Sequence, residues 1–113
     1  RESFHNLCDR ALVAADYLAL AATFHTLMLD HVPQMSRDMR NQAKRFVALI
    51  DALYETRTKL IMSAAVEPAA LYPSGDGAFE FERTVSRLVE MRSDAYLATA
   101  RTMALEDVAV SAL

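Results

Sequence analysis

Cysteine occurs once in the 113-residue sequence, as Cys8, so no disulfide can close within the chain, which is the pattern of a reducing compartment. Basic charge is not in excess. Twelve Lys and Arg stand against 15 Asp and Glu, and a net charge of −3 leaves no basic field to hold a nucleic-acid backbone. Long apolar runs are missing as well: Asp16, His25 and Asp30 interrupt them short of the roughly 18 residues a membrane span needs. Methionine is absent from position 1, which is Arg, and no positive-then-apolar leader follows. The reading at this point is one domain at most, drawn from a longer polypeptide.

Glycine and proline are scarce, at two and three residues, whereas alanine supplies 20 of the 113. That balance favours helix. A hydrophobic share of 53% with 24% charged residues is globular and excludes a disordered tail. The punctuation falls at Pro33, Pro68 and the cluster Pro73-Ser74-Gly75-Asp76-Gly77, dividing the chain into four stretches.

A helix is expected from about Asp9 to Thr23, with Leu12, Ala15, Leu18 and Ala22 on its apolar side. Thr26 to Asp30 reads as a short buried strand closed by Pro33. Ser36 offers an N-cap to a long helix ending near Arg57, with Met39, Ala43, Phe46, Val47, Ile50, Leu53 and Tyr54 on one face. Lys59 to Ala64 reads as a second buried strand. Glu67 to Leu71 suits a single turn, Phe79 to Met91 a helix with Phe81, Val85, Leu88 and Val89 inward, and Ala95 to about Glu106 a last helix. Two strands joined by a helix should lie parallel with a right-handed crossover, and parallel sheets normally have several strands covered on both faces. Two convincing strands are too few. The expected fold is therefore α/β: a helix-rich partial parallel sheet, strand–helix–strand followed by C-terminal helices.

Most chemical constellations reduce to ordinary packing. His5 with Cys8, and His25 with His31, lack the second cysteine pair of a structural zinc site, so no metal is expected. Ser63, Ser74, Ser86 and Ser93 have no nucleophile-elbow context. Glu80 and Glu82 diverge on a helix, and Asp51 falls on the polar side of the long helix, where solvation explains it. Neither glycine is followed by the lysine of a P-loop. Asp30 ends an apolar strand, as do acids that approach magnesium in nucleotide hydrolases, but His31 stands where a catalytic Glu is usual. A cap or turn role explains Asp30 better. Arg83 and Arg87, at i and i+4, share a helix face and suit a γ-phosphate, while Glu80 and Glu90 are their nearest acidic companions in sequence.

Longer motifs carry a resemblance. Asn41 to Glu55, NQAKRFVALIDALYE, runs into TRTKLIMSA at Thr56 to Ala64; FHNLCDR, AADYLAL, FHTLMLDHVP and FEFERTVSRLVEM flank it in order. From residue 4 to 97 the sequence resembles the C-terminal region of the ZapE family of AAA-like P-loop ATPases, which are associated with bacterial cell division and have mitochondrial relatives. Arg10-Ala11-Leu12-Val13 departs from a more usual Pro-Leu-Gly, and no family motif follows Thr99.

The resemblance implies a fragment of a P-loop NTPase fold, residues 1–98, with Walker A and Walker B motifs N-terminal to it, and a helical tail at 99–113. It implies Arg87 and Arg83 as nucleotide-sensing or arginine-finger residues, with Asp30 a weaker magnesium-side candidate and no catalytic base in this chain. ATP and Mg2+ would be cofactors of the full-length protein, with none for the isolated fragment, which is expected to be inactive alone. Partners would be the missing N-terminal half, further copies of the chain, and a division-machinery protein, in the cytoplasm or at the membrane of the division site. The alternative is a non-catalytic helical interaction module descended from such an ATPase. A small redox or metal protein, resting on Cys8 and the histidines alone, is the third reading.

Overall fold

Three parallel strands, neighbours in the order in which they occur along the chain, form the sheet. The computed structural model describes residues 2–8, 12, 14–23, 26–93 and 96–97. Along the chain, β1 (Glu2–Ser3) leads into α1 (Phe4–Cys8) and α2 (Ala14–Thr23), then β2 (Thr26–Val32), α3 (Arg40–Glu55), β3 (Lys59–Ala64) and α4 (Ala78–Met91). Short 3-10 turns at Arg37–Met39 and Pro68–Ala70 introduce α3 and precede α4. The strand–helix–strand order stands as expected. The third strand was not foreseen, because two residues carry no periodicity and exist as a strand only through pairing with Leu29 and Asp30. Of the expected helix from Ala95 only Tyr96 and Leu97 are described, both helical; the rest of it and the tail at 99–113 lie outside the described residues, as do Asp9 to Ala11.

Burial along β2 begins as a strict alternation, with Leu27 and Leu29 inside and Met28 outside. Continued, it would carry His31 into the core. Instead the register shifts between Leu29 and Val32, His31 adopts a left-handed backbone at φ 61°, and Val32 turns inward. The His31 N–H donates to Ser63 Oγ at 3.0 Å, so β3 supplies the acceptor that the irregularity needs.

β3 is not the buried strand that its apolar run suggests. None of its six residues is fully buried, and Ile61 is 48% exposed beside its partner Met28, at 41%. Leu60 and Met62, pointing the other way, pack against the core. The sheet is thus covered on the face of Leu27, Leu29, Leu60 and Met62, whereas Met28 and Ile61 on the other face are exposed among the described residues.

The helices make the rest of the core. α3 packs against α1, α2 and α4, and a row of rings runs through it from Phe4 to Phe46 to Phe81 to Tyr72, with centroids 6.1, 5.9 and 5.6 Å apart. Leu49 and Ala52 are buried along with the foreseen Ala43, Phe46, Ile50 and Leu53, since α3 has neighbours on several sides. Ser36 stands ahead of its first turn, but its side chain makes no cap; its carbonyl accepts from Met39 N–H at 2.9 Å. In α2 the inward residues are Tyr17 and Ala21, whereas Ala15, Leu18 and Ala22 are exposed. In α4 the inward set is Phe81, Thr84, Leu88 and Met91, and Val89 faces out. The α2 difference is a rotation of about 100°, one residue of helix phase, whereas α4 keeps Phe81 and Leu88 inward and its stripe leans toward Thr84 and Met91.

Candidate functional site

α3 ends in a complete Schellman motif, and the candidate site is built on it. Thr58 N–H donates to Leu53 O at 2.9 Å and Arg57 N–H to Tyr54 O at 3.2 Å, with Arg57 in the left-handed position at φ 55°. Glycine usually takes that place. Here the guanidinium offsets part of the backbone cost by lying 4.8 Å from the Tyr54 ring centre and 5.5 Å from that of Tyr96. Tyr96 closes the group from the C-terminal side, stacking on Tyr54 at 6.2 Å and donating to Thr58 O at 2.6 Å. Burial pushes its phenol pKa up to about 12, with Arg57 opposing.

On this platform α4 lays its two arginines. Arg87 Nη1 contacts Asp51 Oδ1, and Arg83 Nη2 lies 3.9 Å from Asp51 Oδ2. The Arg87 guanidinium also sits 4.8 Å from the Tyr54 ring centre, and Tyr54 Oη donates to Glu90 Oε2 at 2.7 Å. The arginines' charge partner is therefore Asp51 of the facing helix, rather than Glu80 or Glu90 of their own. Asp51 is half-buried in this contact and not simply a solvated residue of the polar face. Tyr54 lies at the seam between α3 and α4. Two guanidiniums thus converge on one carboxylate, and the planar donors that meet it are of the kind that also suit phosphate oxygens.

Asp30 is elsewhere. It occupies the C-terminal half of β2, half-buried, opposite Ser3 of β1 and one residue before the left-handed His31. The carboxyl ends of parallel strands are where open α/β sheets receive ligands. Among the described residues, no group of three His, Cys, Asp or Glu is placed to hold a metal ion, and no helix is long and apolar enough to cross a membrane.

A second polar region was not singled out from the sequence. Arg40, Asn41, Lys44, Tyr72, Glu80 and Phe81 line a groove of about 610 Å3 between the starts of α3 and α4. Arg40 pairs with Asp76 at 3.3 Å, and Arg37 Nε reaches Ser74 Oγ at 3.5 Å. The signal for it was the basic spacing 37, 40, 44 opposite the only glycine-containing loop.

Comparison with known proteins settles the family. The model of the family described as AFG1-like ATPase matches residues 1–100. The chain belongs to the AFG1-like ATPase family. It is 47% identical over 95 residues to the cell division protein ZapE of Escherichia coli K12, covering 84% of this chain and 25% of that protein. It is 30% identical over 126 residues to lactation elevated protein 1 homolog B of Danio rerio, covering 83% and 25%. No solved structure matches. This AFG1-like chain thus spans about a quarter of the length of the curated relatives it matches. Its α/β architecture is that of a fragment of a P-loop NTPase fold.

Proposed function

We propose that this chain is the arginine-bearing part of an ATPase that binds and hydrolyses ATP with Mg2+ only when the rest of the polypeptide supplies a P-loop and the acidic residues that hold the metal. In this reading Arg83 and Arg87 contact the phosphates, in their own subunit or in the next copy of an oligomer, and stabilise charge that builds during transfer. The observation that carries it is the convergence of both guanidiniums on Asp51 at the seam between α3 and α4. Asp30, at the sheet's ligand-receiving end, is the residue of second rank and serves the magnesium side. In this reading residues 1–98 are the part of the ATPase domain that follows its P-loop. A role in cell division follows the name of the E. coli relative.

The test uses the full-length polypeptide. Arg83→Ala and Arg87→Ala are expected to lower ATP turnover by about 10³-fold, the scale of an arginine-finger loss. Wild-type turnover in both variants sinks the assignment. The 113-residue chain alone is expected to bind no fluorescent ATP analogue in the presence of magnesium. Tight binding by the isolated chain would move the nucleotide site to this segment and make Asp30 the first residue to change.

The exposed side chains of Met28 and Ile61 favour a second reading, a non-catalytic interaction module. The coding sequence upstream of Arg1 separates the two: a P-loop and an Asp-Glu strand there support the enzyme.

A further inference from the structure

Two arginines share one carboxylate, and they share it unequally. Arg87 makes direct contact with Asp51 Oδ1, and 22% of its side chain is exposed. Arg83 remains 65% exposed and stands 3.9 Å from Oδ2. The first contact is charge-assisted, part-buried and backed by the Tyr54 ring. The second is a solvent-screened pair of a kind that contributes little. Tyr54 is fixed in turn by Glu90 at 2.7 Å and by stacking on Tyr96. Arg87 is therefore clamped to α3, whereas Arg83 is only aimed by it.

Resting on the phosphate-contact reading above, we propose that Asp51 is a positioning residue: it fixes Arg87 at the helix seam and presents Arg83 as the arginine that leaves for the phosphate. Both oxygens of Asp51 face guanidiniums, so an arriving phosphate competes with it for the same donors. The contact given up at least cost is the long, wet one. Asp51 keeps Oδ1 on Arg87 while Arg83 moves. Without the carboxylate, the two like charges one helical turn apart repel and lose their common direction. A donor helps the transition state by being oriented beforehand, so this loss falls on turnover more than on ground-state binding.

The experiment is steady-state ATP hydrolysis by the full-length protein carrying Asp51→Asn, beside its thermal melt. Turnover is expected to fall at least about tenfold, with KM for ATP within about twofold of wild type. Asp51→Glu restores the charge one methylene further out and is expected to recover part of that turnover. Arg83→Ala is expected to lower turnover at an unchanged melting temperature, and Arg87→Ala to lower both. A folded Asp51→Asn protein with wild-type turnover overturns the proposal. Should Asp51→Asn melt below the assay temperature, wild-type turnover in Asp51→Glu together with equal melting losses in Arg83→Ala and Arg87→Ala overturns it instead. If Arg83→Ala loses turnover while Asp51→Asn keeps it, only the positioning role fails. If neither arginine matters, the phosphate reading itself has failed.

Discussion

Tyr17 donates its hydroxyl to the carbonyl oxygen of Leu7 at 2.6 Å, tying α2 back to α1 across ten residues of chain. Tyr96 makes the matching bond at the other end of the core, to Thr58 O, also at 2.6 Å. Both phenols are almost completely buried, and burial raises each pKa to about 12.

These two groups set an alkaline limit. Each folded-state pKa lies above the unfolded value of 10, so the unfolded chain releases these protons first as pH rises. Their contribution is complete below pH 10 and is lost progressively toward pH 12. Chemical denaturation between pH 8 and pH 12 is expected to show stability falling across that upper window. Tyr17→Phe should remove about one proton's worth of the slope, at a cost of about 1 kcal/mol at neutral pH for the lost hydrogen bond. An unchanged slope in that variant would refute the assignment.

Gly75 should tolerate nothing larger. Its φ is +122°, and a Cβ there would stand 2.7 Å from the Tyr72 hydroxyl and 3.2 Å from Arg37 Cα. The Tyr72 hydroxyl is already committed, donating to Asp76 O at 2.7 Å. Gly75→Ala is expected to destabilise the fold by about 2–3 kcal/mol, from strain and displacement of that bond together. Gly77, at φ +83° but with its would-be Cβ in ordinary contact, 4.0 Å from Glu80 Oε2, should lose about 1 kcal/mol on the same change. Thermal melts of the two variants give the order directly, and a reversed order contradicts the packing around Tyr72.

Thr84 offers a gain. It is fully buried on α4, and its hydroxyl has no hydrogen-bond partner among the described residues. Thr84→Val keeps the branched shape and removes the unpaired oxygen, so a stabilisation of about 1 kcal/mol is expected by denaturant titration. A loss instead would reveal a partner for that hydroxyl.

What the sequence could tell followed from local rules. Pro33, Ser36 and the apolar face from Ala43 to Leu53 delimit α3, and the runs on either side are its two strands. Local periodicity did not tell which strand had neighbours. Leu60 and Ile61 read as core, yet among the described residues β3 is the edge strand, and periodicity does not say what lies beside it. At the site, i and i+4 spacing placed Arg83 beside Arg87, because that is a property of one helix. It could not supply Asp51, which comes from the opposite helix 36 residues away in sequence. The one-residue phase difference on α2 has the same origin: an alanine-rich helix leaves the angle of its buried stripe to its neighbours.

Among the described residues no strand pairs with the outer side of β3, which has a consequence for handling the molecule. A parallel strand with unpaired backbone groups and apolar side chains is a template for another strand, and proteins commonly blunt such edges with lysine. Lys59 is the only charged residue in the strand, at its first position, and Leu60 to Ala64 run on without one. The 113-residue chain prepared by itself is therefore expected to scatter light increasingly with concentration. Placing a second lysine at Ile61, whose side chain faces away from the core, should suppress that association while leaving the helices folded.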